Sequence, residues 1–261
     1  MKKRLLATFL SMAMVAGLAT GCSTPGSGKD GGASDGEKVF RYATNTLPTT
    51  LDPNKCQGMG DNEIQHAITE GLVRNTGGDI QPGIAESWDI SDDGLTYTFH
   101  LRDDAVWSDG EPVTAANFEY SWKRLVNPET ASVYAFIGDC LKNGQAIEKG
   151  EMAVDELGVK ATDDTTLEVT LEHPTSYFLS LIGSSGEFAP IRQDIVEKYG
   201  TDFAATADKN VYCGPFVLTS SENNVWIFEK NENFWDKDSI KLDRCELNYV
   251  ENADTQLSMY E

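Results

Sequence analysis

Ala85 to Arg124 reads AESWDISDDGLTYTFHLRDDAVWSDGEPVTAANFEYSWKR, and its pattern decides the fold class. Tyr97, Phe99 and Leu101 alternate with Thr96, Thr98 and His100, the period of two that marks a strand with one buried face. Asp92-Asp93-Gly94 turns the chain ahead of that strand, because Gly accepts positive φ and Asp bonds its own backbone. Asp109-Gly110 supplies a second turn, and Pro112 fixes the approach to a helix. Thr114 is a good N-cap for that helix, with Phe118, Trp122 and Leu125 sharing one face. Strand, turn, strand, acidic loop and helix together predict a mixed α/β (α+β) domain.

The same reading extends along the chain. Val39 to Thr44 alternates as a first strand, and Asn45 to Pro53 follows as an irregular segment rich in turn formers. Asp61 to Val73 is expected as a helix capped by Asp61, with Ile64, Ile68 and Leu72 on one face and Gly71 beginning its end. Gln81-Pro82-Gly83 reads as a turn. A helix-like run includes Gly144, Ala146 and Ile147, and Val159–Ala161 with Thr166–Leu171 forms a hairpin about Asp163-Asp164. Short helices are expected in Pro174–Ile182 and Pro190–Tyr199. Two strands, Gly214–Leu218 and Asn224–Lys230, precede a strand at Leu247–Val250 and a helix from Ala253 to Tyr260.

Ahead of this domain lies a targeting segment. Lys2, Lys3 and Arg4 precede an apolar run from Leu5 to Leu18, too short for the ~20 apolar residues of a membrane span. Ser23 to Lys38 is rich in Gly and Ser without a large apolar residue, so it is read as a flexible tether. The 261-residue chain carries a formal charge of −21. Nothing basic is clustered to meet phosphates, which argues against a nucleic-acid partner. Of the five Cys, Cys56, Cys140, Cys213 and Cys245 allow three pairings into two disulfides, with free buried thiols as the alternative. His66, His100 and His173 are scattered and no C-x-x-C occurs, so a zinc site lacks support.

No catalytic constellation emerges, and the chain is read as a non-enzyme without a cofactor. Gly183-Ser184-Ser185-Gly186 has Glu187 where a nucleophile elbow requires Gly. Asp89, Ser91, Asp93 and Gly94 start like a calcium loop, but the twelfth position is His100 rather than Glu. Asp103-Asp104 and Asp163-Asp164 flank turns, where solvated carboxylates are the ordinary outcome.

The string Trp88 to Ala115, with its two Trp, two Asp-Gly turns and Pro112 in register, resembles the signature of the bacterial extracellular solute-binding proteins of family 5. This group includes oligopeptide-, dipeptide- and nickel-binding proteins of ABC importers. Leu51-Asp52-Pro53, Glu70-Gly71-Leu72, Ile84 to Trp88 and Asn231 to Trp235 resemble further family motifs. Ala19-Thr20-Gly21-Cys22 resembles a lipobox, which implies cleavage before Cys22, lipidation of Cys22, and an extracytoplasmic protein anchored to the cell membrane.

The resemblance implies a periplasmic-binding-protein-like two-lobe fold (type II), with a small subdomain in the first lobe. On that basis the expected organisation is a signal peptide over 1–21 and a tether over 22–38. A first segment of lobe I spans 39–83, the small α/β subdomain 84–172, and a second lobe I segment 173–261. The family is about twice as long, so the chain is expected to stop before the second lobe. It further implies a peptide ligand and ABC permease subunits as partners. The ligand would meet Thr46, Leu47, Pro48 and Thr49 by strand-like pairing, Tyr134, and the turn Tyr212-Cys213-Gly214. A peptide-sensing or adhesion lipoprotein and a nickel- or haem-binding member are the alternatives.

Overall fold

The computed structural model describes residues 36–259; the readings of the signal peptide and of Cys22 lie outside the described residues. In chain order its strands are β1 (Val39–Thr44), β2 (Val73–Thr76), β3 (Asp79–Pro82), β4 (Ala85–Ile90), β5 (Thr96–Leu101), β6 (Val159–Ala161), β7 (Thr166–Thr170), β8 (Phe216–Glu222), β9 (Val225–Lys230) and β10 (Arg244–Tyr249). The helices are α1 (Met59–Ile68), α2 (Ala115–Val126), α3 (Gly144–Glu148), α4 (Phe178–Ser184), α5 (Gln193–Tyr199) and α6 (Ala253–Ser258).

The signature stretch folds as its pattern requires. In β5 Tyr97, Phe99 and Leu101 are buried while the alternate residues are not. Asp93 accepts from the Leu95 N–H (3.0 Å) and the Ser91 hydroxyl (2.6 Å) in a turn closed by Gly94 at φ 69°, and Asp89 lies 2.9 Å from His100 across the strands, so the aspartates that mimic a calcium loop are spent otherwise. At the start of α2 the Asn117 side chain reaches back to the Thr114 N–H (2.9 Å), which stops the helix fraying. The sheet runs β4-β5-β7-β6, all antiparallel. α2 lays Phe118, Trp122 and Leu125, all fully buried, into its core. Trp122 meets Phe188 edge-to-face at 5.0 Å and donates its indole N–H to the Phe188 carbonyl (2.8 Å), satisfying the one polar atom it buries.

A second sheet runs β1-β10-β9-β8. β1 pairs with β10 in parallel, Val39 opposite Arg244 through Thr44 opposite Tyr249, and the other two pairings are antiparallel. β8 therefore runs parallel to β1. Asn223 and Asn224 turn β8 into β9 at φ 54° and 62°, the mirror-image turn that suits a hairpin. Ile64 and Ile68 of α1 pack with Phe216, Leu218, Phe228 and Leu247 of this sheet in a second core.

Two expectations change. α1 starts at Met59, two residues before the expected start, so Asp61 lies inside the first turn and Gly58 is the cap. It also stops at Ile68. The Gly71 and Leu72 carbonyls are taken by the N–H groups of Ile84 (2.9 Å) and Ala85 (3.0 Å), which holds 71–72 extended against the start of β4. Leu72 is buried as its periodicity demands, but in another element. The hairpin β2–β3 lies ahead of Gly83, where the sequence pattern shows only the turn at Gln81–Gly83. Gly77 and Gly78, at φ 64° and 102°, are its two-residue loop. Cys56, Cys140, Cys213 and Cys245 are free thiols.

Candidate ligand-binding site

Beyond β1 the chain leaves the sheet and runs without regular structure past Thr46, Leu47, Pro48 and Thr49. One buried carboxylate holds this strip. Asp61 accepts from the Thr49 N–H (2.5 Å), the Thr49 hydroxyl (2.8 Å), the Thr50 N–H (3.2 Å) and the Gln57 N–H (3.0 Å). Four donors on one carboxylate replace the water it lost on burial. The strip also presses on α1: a Cβ at Gly60 would sit 2.9 Å from the Thr46 carbonyl oxygen, so only Gly fits there. Thr46, Leu47 and Thr49 stay exposed. Among the described residues, the Leu47 N–H and carbonyl have no hydrogen-bond partner, and Pro48 has no N–H to give. The result is a short exposed strip outside regular structure whose Leu47 backbone groups are unspent.

Just beyond the strip, Asp52 and Asn54 are anchored. Asp52, 4% exposed, meets Arg124 of α2 through two bonds of 2.8 and 2.6 Å, and Arg124 also donates to the Asn54 side chain (2.9 Å). The Asn54 amide in turn donates to the Glu187 carbonyl (3.0 Å). A bidentate arginine thus ties the strip to the last residue of the signature stretch. Between the strip and the end of the second sheet lies a cavity of about 380 Å³, whose walls include Pro48, Thr49, Lys55, Phe203, Ser221 and Trp226.

The other expected site residues lie apart from this cavity. Tyr212-Cys213-Gly214 precedes β8, and because β8 runs parallel to β1 the turn sits at the opposite end of the sheet from the strip. α1 spans the gap, with Gly60 against Thr46 at one end and the Ile68 carbonyl accepting from the Gly214 N–H (3.0 Å) at the other. The helix rise from Gly60 to Ile68 separates the two by about 12 Å. Gly214 is required by contact, since a Cβ there would meet the Thr69 nitrogen. The Tyr212 hydroxyl donates to the Ala207 carbonyl (2.8 Å), and burial raises its pKa well above the usual tyrosine range. Burial likewise pushes the Cys213 thiol up to about 12, and its sulfur lies 3.5 Å from the Glu70 nitrogen. Both side chains are committed to the interior. Tyr134 is half-buried in the subdomain, its ring 5.7 Å from that of exposed Phe136.

Sequence reasoning did not single out Asp61 as the support of the strip, nor Arg124 or Lys55. Lys55 carried a signal, being the single basic residue between Asn45 and Gly60. Asp61 and Arg124 carried none, because their partners are 12 and 72 residues away.

A model of the bacterial extracellular solute-binding proteins, family 5 Middle, matches residues 79–261. The dipeptide-binding protein DppE of Bacillus subtilis (strain 168) is 37% identical over 238 residues, covering 89% of this chain and 43% of that protein. The probable deoxycholate-binding periplasmic protein YgiS of Escherichia coli (strain K12) is 39% identical over 228 residues, 86% of this chain and 42% of that protein. Among solved structures, the substrate-binding domain of an oligopeptide ABC transporter from Bacillus anthracis str. Ames superposes with a TM-score of 0.84 at 40% identity, over 87% of this chain and 44% of that one. The chain therefore spans less than half the length of the relatives it matches, and its mixed α/β fold is that of their first part. By the match over 79–261 and the shared fold, the chain belongs to the bacterial extracellular solute-binding proteins of family 5.

Proposed function

We propose that this protein is the ligand-capturing component of an ABC importer and that its ligands are peptides. The observation that carries this reading is the exposed Thr46–Thr49 strip, with the Leu47 backbone groups unpaired beside a cavity of about 380 Å³. An extended peptide adding to such an edge gains main-chain hydrogen bonds whatever its side chains, and the cavity gives side chains room. The relatives with dipeptide and oligopeptide in their names support the same ligand class. Capture without covalent chemistry suits a strip of threonines and a proline, so the protein acts as a binder and not an enzyme. Cys22 carries the lipid that anchors it outside the cytoplasm, and permease subunits receive the ligand. Tyr134 and the Tyr212–Gly214 turn act as supports of the domain or as contacts to parts of a ligand beyond the strip.

One observation favours a second reading. The 39% identity to a probable deoxycholate-binding protein makes an amphipathic acid the rival ligand, with Phe203 and Trp226 as its apolar wall. Mass spectrometry of the small molecules released by denaturing the natively purified full chain decides between them. Peptides are expected; a steroid acid without peptides, confirmed by calorimetric titration, would replace the first reading with the second.

A further inference from the structure

We propose that Lys55 receives a carboxylate of the bound peptide and so sets a preference for acidic ligand ends in the cavity beside the strip. The proposal rests on the peptide-binding reading above and deepens it. Lys55 ends a single tight turn, Pro53–Lys55, whose Pro53 and Asn54 are buried. Asp52 braces that turn from below, accepting from the Asn54 N–H (3.2 Å), while the Lys55 N–H donates to the Asp52 carbonyl (3.0 Å). The backbone that carries the ammonium is therefore fixed, and the ammonium itself is exposed.

Its charge is unspent. The obvious acid nearby, Asp52, is already neutralised by Arg124 at 2.6 Å, and among the described residues Lys55 has neither a carboxylate nor a carbonyl partner. That sets it apart from the other cations around it. It lines the 380 Å³ cavity with Pro48 and Thr49, and also a neighbouring cavity of about 690 Å³ toward α2. In the larger cavity Lys123 is held by Glu119 (2.8 Å) and Asp155 (3.1 Å), and Arg124 by Asp52. Glu129 is a carboxylate of the larger cavity alone. In the smaller cavity the charged side chains are Lys55 and the neutralised Asp52. A chain with 42 acidic and 21 basic residues offers an anion few places to approach. A cation left unpaired beside a peptide-pairing edge is one of them. A peptide lying along Thr46–Thr49 would bring either its C-terminal carboxylate or an acidic side chain within reach.

The test is calorimetric binding of a peptide panel to the full chain, to Lys55→Met and to Lys55→Arg. Each peptide is compared as free acid and C-terminal amide, and with Glu or Gln at each position. Wild type is expected to favour the carboxylate form by about fivefold, the scale of a partly exposed ion pair. Lys55→Met should lose that preference and Lys55→Arg should keep it. A preference seen between acid and amide identifies the C-terminus as the source; one seen between Glu and Gln identifies a side chain. Unchanged preference in Lys55→Met, with amide and Gln peptides still bound, overturns the role of Lys55 while leaving peptide capture intact. Binding of no peptide by wild type overturns both. Because Lys55 is exposed, an unchanged melting temperature in both variants is expected and excludes misfolding as the cause.

Discussion

The two sheets of this protein differ in how far they finish their own business. In the β4-β5-β7-β6 subdomain, turns, caps and indole nitrogens find partners within the subdomain or just beside it, and aromatic rings fill its core. The β1-β10-β9-β8 sheet is packed on α1 but runs on, past β1, into a strip whose Leu47 N–H and carbonyl have no partner among the described residues and whose Leu47 side chain is 48% exposed. The closed region carries the family signature, and the open one carries the candidate site. A sequence motif that persists because it folds says who the protein is related to. The proposed ligand-binding residues are instead those whose bonding is left incomplete.

Substitutions can break this contrast in a graded way. The largest effect is expected from Phe118→Ala, which removes a fully buried ring from the closed core; a loss of about 3–5 kcal/mol should appear in urea unfolding monitored by tryptophan fluorescence. Arg124→Ala attacks the joint between the regions. It leaves Asp52 buried without its cation, and a loss of about 3 kcal/mol or more is expected by the same measurement, together with weakened ligand binding. If ligand affinity survives intact, the strip does not depend on that joint.

Asp61→Ala should sharpen the comparison, because it acts on the open region alone. Four donors lose their acceptor, and an expected cost of about 1–3 kcal/mol in stability should accompany faster amide exchange at Thr49, Thr50 and Gln57, with no change at Leu95. Equal protection in both regions would erase the distinction. The smallest effect is expected at Glu187, whose carboxyl burial raises above its usual range. A carboxyl with a raised folded pKa opposes folding while ionised, and that penalty fades as pH falls toward the ordinary glutamate value of 4.5. Glu187→Gln should therefore raise the melting temperature slightly at pH 7, with the gain shrinking toward pH 4.5. A gain that instead grows in acid would contradict the sign.

What the amino-acid sequence makes legible follows the same divide. Tyr97, Phe99, Leu101, Phe118, Trp122 and Leu125 reveal themselves by period alone, and β1 spans Val39–Thr44 as its alternation states. α1 ends short of the expected Val73 because Ile84 and Ala85, thirteen residues beyond, take the Gly71 and Leu72 carbonyls. Local pattern carries no trace of that competition. The strip Thr46–Thr49 was marked through family resemblance, but its support by Asp61 and the anchoring of Asp52 by Arg124 depend on tertiary approach. Tyr212 and Cys213, marked by the same resemblance, have side chains that turn inward, a burial that local pattern does not display.

The parallel pairing of β1 with β10 carries a consequence for the order of folding. Lys38 meets Asp243 and Arg41 meets Glu246 at a sequence separation of 205, whereas β8 and β9 are joined by the tight turn at Asn223-Asn224 and β9 and β10 by residues 231–243. Closing so long a loop is entropically slow, so the strand synthesised first is incorporated last. Until β10 exists, residues 39–44 remain a bare edge, and the threonine strip that follows them has no fixed place. The candidate site therefore takes its shape only once residues 244–249 have been made, when β1 docks beside β10.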